Sequence, residues 1–578
     1  MNAKEKVFKG IPAASGLAMG KAFRLESEKL NIPRFTPKDP ENELNRLAVA
    51  CRQAADELDK IQLHAARHIG ESEAALFEAH KMFLEDLALL EMVESVIRKG
   101  QNVEAAWVDT IEQFAVELAQ LPDPTLSERA ADIRDVGRRV LRLLLGWQNP
   151  QALHFDHPVI LIAKDLEPSQ TAVLDKNMVL AFCTSLGGPT SHTAILAKVI
   201  GIPAVVGLGE ALLDIEPDTL ILVDGSLGQV IAQPGEAART EFEQKQLNAK
   251  KTASNELEQA HLPAVTLDHH QVEVVCNIGS LTDAQTALLH GAEGIGLLRT
   301  EFLYLNRSVA PTEEEQFEAY KVIFETMGSM PVVARTLDAG GDKQIPYLNL
   351  ANEANPFLGL RAIRLCLERP ELFKMQLRAL LRAGEGHDLR IMFPMVADLS
   401  EVRQAKHLLA EAQAELSAAG NSGGFNFQTG IMVEIPSVVW MVNAFTSEVD
   451  FFSIGTNDLT QYTFAAERTN EHVAYLSDAC HPAVLRQIHH VINIAHQAGK
   501  WVGVCGELAG EEDAIPILLG MGVDEFSMAS SSIPHAKMIL RSWYYKAAQD
   551  LAKQVLKLDS AVEVREFVRR KAVAVHGL

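Results

Sequence analysis

Residues 431–458 read IMVEIPSVVWMVNAFTSEVDFFSIGTND. Two short strand-like runs, Ile431–Glu434 and Phe451–Ile454, are separated by a helical pattern, and polar residues mark where each strand gives out. Glu434 closes the first, while Asn457 and Asp458 follow the second. A strand, a helix and a second strand in this spacing make a parallel β-α-β unit. The same alternation continues outward. Val272–Asn277, Gly294–Leu298, Val332–Arg335 and Leu389–Phe393 precede the stretch, and Trp501–Cys505 and Glu525–Met528 follow it. Helical patterns such as Leu281–His290, Val402–Ala419 and Ala483–Gly499 lie between them. Eight strands alternating with helices predict a (β/α)8 barrel, which carries its chemistry at the C-terminal strand ends.

The residues at those ends fit that rule. Arg299 follows the second strand, Arg335 ends the third, Glu434 ends the fifth, Asn457 and Asp458 follow the sixth, and Cys505 ends the seventh. Arg361, Arg468 and Lys343 add cations in Gly- or Asp-rich loops near them. Arginines fork onto carboxylate and phosphate, and two carboxylates suit a hard, oxygen-liking ion such as Mg²⁺. The expected ligand is a small phosphorylated acid. Taken singly, a surface arginine is more often a solvated charge, a strand-end carboxylate more often a cap, and a buried cysteine equally well a small hydrophobe. Convergence from five strand ends on one rim favours function.

Upstream of the barrel the texture differs. From Glu43 to Ala65 apolar or small residues recur at helical spacing, and further helical runs cover Ser72–Lys99, Glu104–Leu118 and Ser127–Leu145, the last with Ser127 as the expected N-cap. Short β-rich runs then appear at Val159–Ala163, Met178–Phe182, Ala204–Val206 and Leu220–Val223. Gly10–Arg24 shares their Gly-punctuated character, so it is expected to join the same α/β domain, with the helical block inserted. Gly235–Gln259 is polar and helix-favouring without an apolar stripe, as expected of a linker helix. Within the α/β region, residues 187–195 read GGPTSHTAI and open a helical pattern. Glycines that let the backbone approach an anion, two hydroxyls and a helix N-terminus beside His192 make a workable cradle for a phosphohistidine. A lone histidine there would more often be a cap.

Composition bounds the remaining possibilities. At 578 residues, the chain exceeds one hydrophobic core. A net charge of -23 argues against nucleic acid and anionic membrane surfaces, and leaves a basic protein partner open. Six scattered cysteines without a CxxC motif suit a reducing compartment. The N-terminus is neither a signal peptide nor a membrane span, so the chain is expected in the cytoplasm.

The stretches GLAMGKAF, FEAHKMFLED, ERAADIRDVG, GGPTSHTAI, GIGLLRTEFLY, RTLDAGGDK, NPFLGLRAIR, MVEIPS, FFSIGTNDLTQY and VCGELAG occur in this order. Through them the chain resembles enzyme I of the phosphoenolpyruvate:sugar phosphotransferase system along essentially its whole length. The resemblance implies a multidomain α/β protein. Residues 1–35 and 147–234 would form a swivelling phosphohistidine domain, and 36–146 an inserted helical bundle that binds the phosphocarrier protein HPr. Residues 235–262 would be the linker helix, and 263–578 the phosphoenolpyruvate-binding barrel, which also dimerises. It implies His192 as the phosphorylated nucleophile with Thr171 steering its ring, and Arg299, Arg335, Asn457 and Arg468 as ligands of phosphoenolpyruvate. It implies Glu434 and Asp458 as holders of Mg²⁺ and Cys505 as the acid that protonates the enolate. Pro189 and Lys198 stand where many relatives have arginine, and Arg129 and Arg134 are candidates to supply that charge. Other roles stay open: a pyruvate phosphate dikinase or phosphoenolpyruvate synthase, which would need an ATP-binding domain; a regulatory, nitrogen-type phosphorelay; a dihydroxyacetone-kinase relay; or a scaffold without turnover.

Overall fold

A computed structural model describes residues 5–25, 31–68, 77, 80–119, 124–146, 155–166, 177–188, 194, 197, 201–305, 307, 309–341, 345–348, 350–351, 353–420, 425–467, 470 and 473–576. They form two compact units, Met1–Ala249 and Lys250–Leu578.

The first unit contains helices α1 (Pro40–His68), α2 (Leu87–Arg98), α3 (Val103–Ala119) and α4 (Pro124–Leu144). Their apolar stripes meet around Leu58, Leu89, Val93 and Trp107, and the Trp107 indole Nε1 donates to the Gly137 carbonyl at 2.8 Å. Two helix boundaries differ from the sequence expectation. The run expected over Ser72–Lys99 breaks before α2, because the Asp86 carboxylate accepts from Ala88 N and Leu89 N and so caps a new helix. Helix α4 opens at Pro124, a residue preorganised for the first turn, so Ser127 lies inside the helix and is not its cap.

An eight-stranded sheet completes this unit. Its strands are β1 (Lys6–Lys9), β2 (Ile11–Ala14), β3 (Leu17–Arg24), β4 (Val159–Ala163), β5 (Val179–Thr184), β6 (Ala204–Val206), β7 (Leu220–Asp224) and β8 (Gln229–Ala232). They run in the order β1-β8-β7-β3-β4-β5-β6-β2. β3 pairs in parallel with β4 and antiparallel with β7, so the segment before the helices shares a sheet with strands that follow them. Central strand β4 is buried at every residue, as a run of Val, Ile, Leu and Ala requires. The unit division falls inside α5 (Glu236–Glu258), whose only buried residue is Phe242.

The second unit is a closed parallel barrel, in the order β10-β11-β12-β13-β14-β15-β16-β9. Its strands are β9 (Glu273–Ile278), β10 (Ile295–Arg299), β11 (Val332–Arg335), β12 (Leu389–Phe393), β13 (Phe427–Val433), β14 (Phe451–Ile454), β15 (Trp501–Val504) and β16 (Glu525–Met528). The fifth strand begins four residues before the expected Ile431, since pairing with β12 runs from Phe427 to Ile431 and recruits the polar Gln428 and Thr429. Leu297, Val333, Met392, Met432, Phe451 and Cys505 fill the barrel, while the larger apolar cluster lies between strands and surrounding helices. Among the described residues no helix is long and apolar enough to cross a membrane.

Candidate active site

Parallel pairing aligns the C-terminal ends of neighbouring strands, and Arg299 stands in register with Arg335. Arg335 is buried. Its Nη2 donates to Glu301 Oε1 at 2.7 Å, and its Nη1 lies 3.4 Å from Asp338 Oδ2. Asp338 also receives Arg361, through Nη2 at 3.1 Å to each carboxylate oxygen and Nε at 3.3 Å. Burial alone would lower the pKa of both arginines. Glu301 and Asp338 more than reverse this for Arg335, as Asp338 and Asp458 do for Arg361. The result is a fixed lattice of two buried guanidiniums around one carboxylate. One donor is left over: Arg335 Nε is buried and has no hydrogen-bond partner among the described residues. Arg299 reaches solvent, yet desolvation and then the charge of Arg335 lower its pKa. Two neighbouring cations and an unused donor favour an anion between them.

Glu434 directly follows β13 and is 1% exposed. One of its oxygens accepts from Met395 N, and a β-carbon on Gly455 would stand 3.2 Å from the other. Asp458 lies in the first turn of α6 (Thr456–Phe464), with its Oδ2 3.9 Å from Arg361 Nη2. Burial first, then the charges of Asp458 and Asp338, raise the pKa of Glu434, against Arg335 and Arg361. Two repelling carboxylates in a confined space, whose repulsion Arg335 and Arg361 offset only in part, form an oxygen donor set that fits Mg²⁺. Asn457 binds Glu507 reciprocally, its Nδ2 donating to Glu507 Oε1 and its Oδ1 accepting from Glu507 N, each at 3.1 Å.

Cys505 caps the interior layer just past β15, and its Sγ donates to the Ile454 carbonyl at 3.6 Å. Burial pushes the thiol up to about 11, with the Ser453 hydroxyl opposing and the charge of Glu434 adding. It therefore holds its proton at neutral pH, the state a general acid needs.

Arg299, Arg335, Arg361, Glu434, Asn457, Asp458 and Cys505 thus share the C-terminal end of one barrel. His192, Thr171, Lys343 and Arg468 lie outside the described residues, as do Pro189, Lys198 and the side chain of Arg129. Arg134 is engaged by Glu112, at 3.0 Å through Nε and 2.7 Å through Nη2. Sequence reasoning missed Glu301 and Asp338, which orient the arginines. The available signal was a carboxylate two residues after Arg299 and another three after Arg335, both inside stretches already singled out.

A parallel barrel whose C-terminal end carries three arginines, two mutually repelling carboxylates and a protonated thiol defines an enzyme class that handles small, highly charged anions. Three family models match the chain. The model described as PEP-utilising enzyme, PEP-binding domain matches residues 253–545, the N-terminal one 9–129 and the mobile domain 155–228. A phosphoenolpyruvate-protein phosphotransferase of Geobacillus stearothermophilus is 47% identical over 568 residues, covering 98% of each chain. That of Bacillus subtilis (strain 168) is 45% identical over 562 residues, covering 97% of this chain and 99% of its own. A solution structure described as Enzyme I (nEIt) is 38% identical and covers 42% of this chain and 99% of its own, with a TM-score of 0.38. The chain belongs to the phosphoenolpyruvate-protein phosphotransferase family.

Proposed function

We propose that the chain is a phosphoenolpyruvate-protein phosphotransferase, which takes the phosphoryl group of phosphoenolpyruvate onto His192 and passes it to a histidine of HPr, energising sugar uptake. The observation that carries this reading is the barrel mouth, where the Arg335 lattice with its unused Nε stands at the same strand ends as a protonated thiol. Arg299 and Arg335 bind the carboxylate and phosphate of the substrate, together with Asn457, Arg468, Lys343 and Arg361. Glu434 and Asp458 would hold Mg²⁺, which would supply positive charge beside the phosphoryl group. The neutral imidazole of His192, steered by Thr171, attacks phosphorus in line while the arginines stabilise the charge spread over the phosphoryl oxygens. The enolate leaves, and the Cys505 S–H gives its proton to C3, forming pyruvate and a thiolate. Turnover requires His192, in the first unit, to visit the barrel and then HPr, a role suited to the region matched as a mobile domain.

Partners follow the same division. Exposed Met82 and Leu87 of the helical bundle offer apolar surface for HPr, and exposed Trp440, Met441 and Tyr475 of the barrel unit offer it for a second copy, giving a homodimer. All six cysteines are free, which supports a cytoplasmic location. Incubation with phosphoenolpyruvate and Mg²⁺ is expected to release pyruvate and leave an acid-labile, base-stable phosphoryl group that HPr removes and His192→Ala abolishes. Pyruvate release without protein-bound phosphate would overturn the assignment.

A further inference from the structure

The inner wall of the barrel is made of small residues on one side. Ser453 of β14 pairs with Gly503 of β15, and Gly503 pairs with Glu525 of β16, so the three stand abreast at one level. Side chains alternate along a strand. Phe451 and Cys505 belong to the interior cluster, so Ser453 and Gly503, two residues from each, also face inward. A β-carbon on Gly503 would stand 2.9 Å from Glu525 Oε1, so the Glu525 carboxyl fills the space that the glycine leaves. The backbone of Cys505 is thus one two-residue step of a strand, about 7 Å, further along the same wall than Gly503.

Polar groups on this wall are unsatisfied. Ser453 and Glu525 are each 1% exposed. The Ser453 hydroxyl and both Glu525 oxygens make no full hydrogen bond among the described residues. Buried groups of this kind call for a water, a ligand or a role. Both already act on the thiol electrostatically: after burial, the Ser453 hydroxyl is the largest influence on Cys505, and Glu525 is among the charges that raise its pKa. At its far side Glu525 Oε2 lies 3.6 Å from Arg390 Nη1, which is 3.9 Å from Glu273. Glu273 is the register partner of Glu525 and its side chain is half exposed, so this end meets water at the N-terminal mouth of the barrel. Burial raises the pKa of Glu525 to about 8, with Arg390 opposing and Glu273, Asp524 and Asp388 adding to the rise. Burial thus favours the protonated form of Glu525.

We propose that Ser453 and Glu525 form a proton-return path that recharges Cys505 from the N-terminal mouth of the barrel. It rests on the role of Cys505 as the acid toward the enolate. After C3–H forms and S–H breaks, the thiolate takes the Ser453 hydroxyl proton. Ser453 regains a proton from Glu525 through one bridging water, and S–H and O–H are restored. Glu525 is left as a carboxylate, paired with Arg390, until solvent near Glu273 returns its proton. The substrate enters at the opposite end, so recharging does not have to wait for that end to clear. Glu525 and Ser453 are positioning and relay residues, since neither touches substrate.

The test is a rapid-mix experiment with the full chain, phosphoenolpyruvate, Mg²⁺ and excess HPr, following pyruvate through the first and later turnovers. Cys505 starts protonated, so Glu525→Gln and Ser453→Ala are expected to show a burst of one pyruvate per site, followed by slower turnover. The ratio of burst rate to steady rate should rise at least tenfold over the parent. The steady rate of the parent is expected to decline above about pH 8, and that of Glu525→Gln to lose this decline. Ser453→Ala removes only a hydroxyl and keeps the test decisive if the Glu525 variant folds poorly. Burst and steady rates that fall together, or an unchanged ratio in both variants, would overturn the path and leave Cys505 as the acid. A full burst in Cys505→Ala would overturn the role of Cys505, and the path with it.

Discussion

Replacing Asp338 with asparagine keeps the shape of the side chain and removes the anion at the centre of the arginine lattice. In the parent, Asp338 takes three hydrogen bonds from Arg361 and a charge contact at 3.4 Å from Arg335. Glu301 remains for Arg335, but Arg361 is left with a neutral amide oxygen in place of the carboxylate, Asp458 at 3.9 Å and the Tyr462 hydroxyl at 3.4 Å. Removing one partner of a buried ion pair costs about 3–5 kcal/mol, because the surviving charge stays buried. At roughly 2 °C per kcal/mol for a unit of this size, the barrel should unfold about 6–10 °C earlier. Arg335 and Arg361 would also repel each other without the intervening charge. A displacement of about 1 Å in a substrate-orienting group costs on the order of a hundredfold in rate. Calorimetry and the steady-state kcat/KM for pyruvate release, read on the same preparation, measure both effects. A variant that unfolds within about 1 °C of the parent and retains kcat/KM within about twofold would refute the lattice as the element that sets the arginines.

Asp458→Asn should raise the Mg²⁺ concentration needed for half-maximal pyruvate release by at least about tenfold, since it halves the carboxylate charge available to a hard cation; an unchanged Mg²⁺ titration would rule out Asp458 as a ligand. Glu525, with its pKa raised to about 8, stabilises the fold below the ordinary carboxyl range, and this contribution is lost as pH rises toward about 8. Relative to the parent, Glu525→Gln should therefore gain stability between about pH 5 and 8, by up to about 1.4 kcal/mol per pH unit. Denaturant titrations that stay parallel across that range would contradict it.

Most of the barrel was legible from the sequence, because eight β-rich runs alternate with helical spacing and polar residues close them. The rim residues Arg299, Arg335, Glu434 and Cys505 were legible for the same reason: a strand end is a position that can be counted to. Charge partners were harder. Asp338 and Arg361 are 23 residues apart and meet only because two loops fold over the same strand end. Glu301 looks like any helix-start acid until Arg335 is seen donating to it. The break at Asp86 was hidden because helical periodicity runs on either side of it, and only the cap geometry reveals a new helix. The Ser453–Gly503–Glu525 wall was invisible, since strand register across three separate β-α units is set by closure of the barrel and not by local pattern.

The first unit's sheet imposes an order on how the chain is made. β1 pairs Lys6 with Ala232 and β3 pairs Lys21 with Val159, so β3 waits 138 residues (21 to 159) for its first partner and β1 waits 226 (6 to 232). The helices between them need no such partner and form a core of their own, which can consolidate early while the ribosome is still delivering its complement. During that interval the exposed edges of β1 to β3 are the nascent polypeptide's aggregation hazard. A chaperone that holds the first twenty or so residues would do most for its yield.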